Sequence, residues 1–244
     1  MITGQPYSRA TNHNFTTTGN PADVGSTATD PDVTDVGTAL SFFQNDGSFN
    51  QATSATAVVS GSGFTQALYL QEAGDITAIS VDDLHQGQIG DCFLLSSIGE
   101  LALRYMGAIS DMIHANGDGT ETVRLYAAAD GQVPTHGTSA YKAVSINVDN
   151  SFPSYSVNEA ATQDVVGGKK EIWPQVIEKA MAIEDGGYDA IAHGGWPVIA
   201  MEVLTGHGAS SVAPADLTLA VLQSEITAGG LIVMDTPSGS NLPF

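Results

Sequence analysis

Apolar residues are sparse at the start of the chain and become periodic only after about residue 63. Residues 1–62 are rich in Thr, Ser, Gly, Asn, Asp and Ala. A segment of this composition buries too little apolar surface to offset the entropy lost when it is ordered. We therefore predict a flexible, low-complexity leader over 1–62 and a folded catalytic domain over 63–244.

Within the folded part, the spacing of apolar residues alternates between two periods. Spacing typical of helices predicts three of them, over roughly 91–105, 172–184 and 217–227. Asp91 is placed to cap the first helix, and Pro174 suits the first turn of the second. Strand-like runs occur over 123–125, 141–148 and 231–234, and the first two predict a small antiparallel unit.

The charge balance is strongly acidic, with 7 Lys and Arg against 27 Asp and Glu and a formal net charge of -20. Such a field repels phosphate backbones and anionic membrane surfaces, so nucleic acid is excluded as an expected partner. The first residues show no basic patch followed by an apolar run, and no stretch reaches eighteen uninterrupted apolar residues. We therefore predict neither a signal peptide nor a membrane span, and the pattern favours no compartment.

The single cysteine, Cys92, excludes an intramolecular disulfide and is either packing or chemistry. It stands at the predicted start of a helix, where unpaired backbone N–H groups and the positive end of the dipole stabilise a thiolate. Gln86 precedes it by six residues across a loop that contains Gly87 and Gly90. The Gln86 amide can fold back beside the sulfur and, with the backbone N–H of Cys92, hold a developing oxyanion. This spacing suits acyl transfer.

The run from Gln86 to Leu95, QGQIGDCFLL, resembles the active-site signature of the calpain family of cysteine proteases. Later segments are similar to that family in order and spacing, which extends the resemblance over about 75–234: EIWP at 171–174, IEKA at 177–180, GY at 187–188, GG at 194–195 and LTG at 204–206. Two residues depart from the family pattern, because Phe93 stands where tryptophan is usual and Met181 where tyrosine is frequent. Both changes are apolar, and neither removes a reacting group.

The resemblance implies an α+β, papain-like fold in which a helical subdomain carries the cysteine and a β-rich subdomain begins after it. It further implies an endopeptidase that acts on polypeptides, with Cys92 as the nucleophile and Gln86 as the oxyanion donor. Gly90, Gly194 and Gly195 are expected to shape the substrate cleft, since they fit neither a phosphate loop nor a dinucleotide fingerprint.

A thiol nucleophile also needs a base and a group that orients this base. Each of the six histidines has a leader or loop context that favours a surface residue: His13, His85, His114, His136, His193 and His207. In calpains the base follows shortly after the segment that 229–234 resembles, and an asparagine comes later. We therefore expect the chain that ends at Phe244 to be truncated before both residues and to be inactive on its own.

The chemistry itself requires no cofactor, but the resemblance implies a possible role for calcium. Asp83 and Glu171 look like carboxylate ligands that bridge the two halves of the cleft, and the alternative is that they are two ordinary surface acids. Two other functions stay open: a non-catalytic module that holds a peptide in the cleft, and a papain-like acyltransferase.

Overall fold

The computed structural model describes residues 2–4, 65–73, 75–134, 140–158, 165–213 and 216–234. The helices are α1 (Cys92–Met112), α2 (Trp173–Glu184), α3 (Tyr188–Ile191), α4 (Pro197–Thr205) and α5 (Leu219–Thr227). The strands are β1 (Ile2–Gly4), β2 (Thr65–Ala67), β3 (Ile113–Ala115), β4 (Thr120–Ala128), β5 (Tyr141–Asp149), β6 (Val165–Val166), β7 (Lys169–Glu171), β8 (Ala209–Ser211) and β9 (Ile232–Val233). Helices and sheets thus occur together, as the predicted α+β class requires.

Helix α1 is the central element and extends seven residues beyond the predicted end at 105. Its buried side chains include Leu94, Ile98 and Leu101 at helical spacing, and Tyr105 interrupts the helical geometry with φ -144° and ψ 54°. By length and composition alone, α1 could cross a membrane, and 56% of its apolar stretch is buried within the protein. Burial of this kind is expected for the core helix of a folded domain.

The largest sheet is antiparallel, with the strands in the order β3-β4-β5. Val123 of β4 lies opposite Ile113 on one side and Ile146 on the other, and all three are buried. β4 also contacts α1, α2 and α4, so this strand joins the sheet to three helices. The predicted antiparallel unit is confirmed and is longer than its apolar residues indicated.

Two smaller sheets consist mostly of strands that the hydrophobic pattern did not predict; the exception is β9, which falls within the strand-like run predicted at 231–234. In one, β2 runs parallel to β7, and β7 pairs with β6 through a turn at Gly167 and Gly168, whose φ values of +58° and +77° suit glycine. In the other, β1 lies between β8 and β9. Residues 2–4 therefore form a strand, and the rest of the predicted leader lies outside the described residues.

Among the described residues, the sequence interpretation missed two α-helices, the four-residue α3 and the longer α4. Pro197 occupies the first turn of α4, and Gly206 ends this helix in the left-handed region with φ +67°, its N–H donating to Glu202 O at 2.8 Å. Proline near the start and glycine just past the end are standard helix signals, so the sequence did contain them. The predictions for α2 and α5 were right to within two residues.

Candidate active site

Cys92 is the first residue of α1 and is exposed. It opens onto a cavity of about 470 Å³ that Gln86 also lines. The remaining walls come from α1, from the loop before it and from the segment around β9: Val81, Leu84, Leu95, Ser96, Gly99, Glu100, Leu103, Ile232, Val233 and Met234. The predicted nucleophile and the predicted oxyanion donor thus meet at one solvent-accessible site.

The Gln86 side chain is held by its own loop. Its Nε2 donates a hydrogen bond of 2.9 Å to the carbonyl of Ile89, three residues further on. An amide nitrogen carries two hydrogens, so one of them remains for a second acceptor. This geometry fits the predicted role of Gln86 as an oxyanion donor, which stays a prediction.

Hydrogen bonds to backbone and side-chain acceptors join the loop 85–90 to residues 155–158. Gln88 N donates to Tyr155 O at 2.9 Å, while His85 and Asn158 form two reciprocal bonds of 2.8 Å. Gly87 lies so close that a Cβ there would be 2.1 Å from Tyr155 O. Only glycine fits at such an approach, so Gly87 fixes the distance between the two segments.

The three predicted cleft glycines lie around the start of α1. Gly90 N donates to Ala192 O at 2.8 Å, and Gly90 pairs with His193 as an isolated bridge. A Cβ on Gly195 would lie 2.6 Å from the Phe93 ring, so Gly195 packs on the residue that follows Cys92. Gly194 has φ +84°. The structure brings Gly90, Gly194 and Gly195 together, and their contact with substrate stays a prediction.

Asp91 does not cap α1 with its side chain, so that expectation was wrong. Its φ of -96° and ψ of 21° lie outside the extended conformation of a capping residue. Its carbonyl accepts from Leu94 N and Leu95 N, but the carboxyl group is fully buried. Desolvation raises the pKa of Asp91. The Asp91 carboxyl group neighbours the buried carboxyl group of Glu178 in α2.

Glu178 is a site residue that the sequence analysis did not single out. Val157 N donates to its Oε1 at 2.9 Å, and the Ser156 hydroxyl donates to its Oε2. Desolvation, followed by the charge of Asp91, raises the pKa of Glu178 well above its usual range. The sequence did contain a signal for this residue, because Glu178 is an acidic residue with mostly apolar neighbours in a predicted helix. A carboxyl group in such a place needs a specific hydrogen-bond partner.

The two predicted calcium ligands have different environments. Asp83 is buried, and its Oδ2 accepts from Ser80 N at 2.7 Å and from Trp173 Nε1 at 3.0 Å. One ligand atom from each of Glu72, Asp75 and Asp83 lies within 4.8 Å of the others, a group that does not include Glu171. Desolvation, with a hydrogen bond to Asp75, raises the pKa of Glu72 to about 7. Glu171 instead accepts from Leu70 N at 2.6 Å.

No histidine in the described part of the chain is hydrogen-bonded to the Cys92 sulfur. His193 is exposed and adjoins the site only through the backbone bridge to Gly90. His13 and His136 lie outside the described residues. Cys92, the predicted nucleophile, is exposed at the start of α1, and its role stays a prediction.

Comparison with known proteins identifies relatives of the region around this site. A sequence model of the family described as "Calpain family cysteine protease" matches residues 70–238. The chain is 28% identical over 177 residues to calpain-type cysteine protease DEK1 of Zea mays, covering 67% of the chain and 8% of the relative. It is equally similar to calpain-type cysteine protease ADL1 of Oryza sativa subsp. japonica, covering 67% of the chain and 7% of that relative. The chain thus spans less than a tenth of the length of either relative.

Proposed function

Because this chain belongs to the calpain family of cysteine proteases, we propose that it contributes the nucleophile half of an endopeptidase site. The observation that carries the proposal is the exposed Cys92 at the start of α1, sharing one cavity with Gln86. The thiolate, and not the thiol, is the form of cysteine that attacks a carbonyl carbon. The substrate is a polypeptide, and the bond that breaks is a peptide bond.

In the first chemical step, the Cys92 thiolate attacks the carbonyl carbon and forms a C–S bond. The carbonyl oxygen becomes an oxyanion, which accepts hydrogen bonds from the Cys92 backbone N–H and from the free hydrogen of Gln86 Nε2. The C–N bond then breaks, the amine leaves with the proton that the base had taken from the Cys92 thiol, and a thioester acyl-enzyme remains.

In the second step, water attacks the thioester, the base removes a proton from the water, and the acid product leaves as the Cys92 thiolate is restored. We propose that the base and its orienting group come from outside the described residues. A base in this role lies within hydrogen-bond reach of the sulfur when substrate is bound.

The cavity beside Cys92 favours apolar substrate side chains. Leu84, Leu95 and Leu103 contribute to its walls, and Glu100 is the carboxylate among its lining residues. Glu100 accepts from Ile232 N at 3.1 Å and pairs with Arg104 at 3.8 Å. A second carboxylate brought there would meet like charge, so acidic side chains next to the scissile bond are disfavoured.

For calcium, we propose Asp83 as a ligand together with Glu72 and Asp75. Three carboxylates within 4.8 Å of one another carry a concentration of negative charge that a hard cation with oxygen ligands relieves. Glu171 is the other expected ligand; its Oε1 accepts from Leu70 N, which ties β7 to the segment that contains Glu72, and its contact with calcium stays a proposal. The experiment is a calcium titration followed by thermal unfolding. D83N and E72Q should abolish the stabilisation, and D118N, in an exposed turn, serves as the control.

The activity test uses the complete product of the natural gene. We expect casein cleavage in the unmodified protein, its loss in Cys92→Ala, and its retention in Ser110→Ala, an exposed serine of the same helix that does not line the cavity. Gln86→Ala should lower kcat/KM by about 10²- to 10³-fold through kcat, the effect of losing one oxyanion donor. Peptide binding without turnover would indicate a binding module, and amine-dependent products would indicate an acyltransferase.

A further inference from the structure

Glu178 holds the segment that in turn holds the Gln86 loop. Its two carboxylate oxygens accept from Val157 N and the Ser156 hydroxyl. In the same segment, Tyr155 O accepts a hydrogen bond from Gln88 N, and Asn158 exchanges two hydrogen bonds with His85. Two steps of hydrogen bonding therefore connect a buried side chain of α2 to the loop that carries the predicted oxyanion donor.

Glu178 also neighbours the carboxyl group of Asp91, the residue before Cys92. Asp91 has 0% relative exposure, and neither of its carboxylate oxygens meets a hydrogen-bond donor from the described protein. The two carboxyl groups can bond to each other only through a proton that one of them carries. Without that proton, two buried negative charges would face each other and repel strongly.

The other ionisable groups around this pair are not basic. Tyr188 of α3 and Tyr155 of the neighbouring segment both face Glu178, and Asp189 adds negative charge near Tyr155. Lys179 follows Glu178 in α2, but its ammonium group donates to Asp149 and Ser151 at the end of β5. Among the described residues, no cation relieves the pair, so a shared proton is the means of holding it together.

We propose that Glu178 is a positioning residue for the thiol chemistry: joined to Asp91 by one shared proton, it fixes both the start of α1 at Cys92 and the Gln86 loop. It touches neither the substrate nor the sulfur. The proposal rests on the proposed peptidase function for its purpose, although the positioning itself is a property of the fold and can be measured without turnover.

The pair makes the site sensitive to alkaline pH. Desolvation raises the pKa of both carboxyl groups, and the two titrate as a unit. The stabilisation is therefore fully present below the ordinary carboxyl pKa of about 4. It is lost as the pH rises through the raised value, where the shared proton leaves. The side-chain amide of an E178Q variant has no such proton to lose, and its N–H can donate to Asp91 at every pH.

The first test is hydrogen exchange of residues 1–244 at about pH 6 and about pH 9, with the rates corrected for intrinsic exchange. A raised carboxyl pKa lets these two pH values compare the pair with and without its shared proton. The informative amides are those of His85, Gln88 and Gly90, each of which is hydrogen-bonded. E178L should exchange these about tenfold faster or more at both pH values, as expected when buried hydrogen bonds are lost. Unmodified protein should lose protection at the higher pH only, and E178Q should keep it at both.

Glu184 supplies the matched control. It is a fully buried acid in the same helix, with no hydrogen bond to its carboxylate among the described residues. E184L should leave the protection of His85, Gln88 and Gly90 unchanged relative to that of the amides in α1. The proposal is overturned if E178L protects these amides as well as the unmodified protein does, or if E178Q loses protection with pH in parallel with it.

The second test uses the complete natural gene product and a peptide substrate. E178Q should extend the alkaline limb of the kcat profile, and E178L should lower kcat more than it raises KM. If the unmodified protein shows no peptidase activity, the proposed function fails while the exchange experiment still decides the positioning role. If activity is present and kcat in E178L equals that of the unmodified protein, the positioning role fails while the peptidase function stands.

Discussion

Helices α2 and α5 have similar lengths but opposite surroundings. All 12 residues of α2 are buried, including Gln175, Glu178, Lys179 and Glu184. None of the 9 residues of α5 is buried, and its Leu219 and Ile226 are 69% and 50% exposed. Burial in α2 therefore includes charged groups that connect to the segment beside the Gln86 loop and to the sheet. Position in the fold, more than sequence hydrophobicity, decides which helix supports the site.

The anchoring contacts of α5 are correspondingly few and mostly involve backbone groups. Thr218 caps its start by accepting from Val221 N at 3.2 Å. Arg104 donates to Ile226 O, and the Tyr105 hydroxyl donates to Gly229 O at 2.6 Å. These contacts attach α5 to α1 at the edge of the domain. We expect substitutions in α2 to disturb both fold and site, and substitutions in α5 to disturb little.

The largest expected effect comes from Lys179→Met. The ammonium group has 0% side-chain exposure and donates to Asp149 Oδ1 at 2.8 Å and to Ser151 O at 2.7 Å. Partial burial alone would raise the pKa of Asp149, but the hydrogen bonds from Lys179 and Ser151 hold this pKa below its usual value. Methionine fills a similar volume but leaves these acceptors unpaired, so we expect a loss of about 2–4 kcal/mol in the free energy of unfolding.

Urea unfolding at neutral pH measures this loss, and Lys142→Met on β5 provides a comparison at a position that is only partly buried. Because desolvation also lowers the pKa of Lys179, the ion pair itself contributes less than the unpaired acceptors cost. A loss below about 0.5 kcal/mol, the range of ordinary surface changes, would show that α2 is not held as its contacts indicate.

The next effect is a gain, expected for Glu184→Leu. Desolvation, with a smaller contribution from the charge of Asp185, raises the pKa of Glu184 well above its usual range. Folding with this carboxyl group is most favourable below a pH of about 4 and becomes less favourable as the pH rises toward the raised value. Leucine removes the penalty, so we expect about 1–3 kcal/mol of added stability at neutral pH.

The same variant should flatten the decline of stability with rising pH. Parallel urea melts of the unmodified protein and of Glu184→Leu at about pH 5 and about pH 8 span the interval in which a raised carboxyl titrates. Equal slopes of unfolding free energy against pH in the two proteins would contradict the assignment of the pH dependence to Glu184. A leucine variant that is less stable than the unmodified protein would contradict the finding that no described residue is hydrogen-bonded to the Glu184 carboxylate.

The smallest effect is expected in α5. Leu219→Ser replaces a side chain that is already 69% exposed, and surface changes of this kind usually alter stability by about 0.5 kcal/mol or less. The melting temperature and the exchange of the amides in 85–90 should both stay as they are in the unmodified protein. A large loss would mean that α5 packs against something beyond the described residues.

Much of this organisation follows from the order of residues alone. Helical spacing located α1, α2 and α5, and the strands β4 and β5 follow from their alternating residues. The position of Cys92 at a helix start and the nearby Gln86 were also predictable, because both depend on contacts that are short in sequence. The cleft glycines were harder to predict, because the contact between Gly195 and Phe93 joins residues that are 102 positions apart in the sequence.

The polar interior of the site could not be read from the sequence. Asp91 has the residue type and position of a helix cap, yet the backbone leaves the extended conformation and the carboxyl group turns to Glu178, 87 residues away. A local propensity worth about 1 kcal/mol loses to a tertiary contact of this kind. Ser156 and Asn158 were missed for the same reason, because their partners lie in other elements.

The central claim is that Cys92 becomes covalently acylated, and intact mass measured after an acid quench tests it most directly. The complete natural gene product, mixed briefly with a peptide ester, should gain the mass of the acyl group, and peptide mapping should locate it on Cys92. Cys92→Ala should gain no mass. Turnover without an adduct at Cys92, or an adduct that persists in Cys92→Ala, would contradict the account.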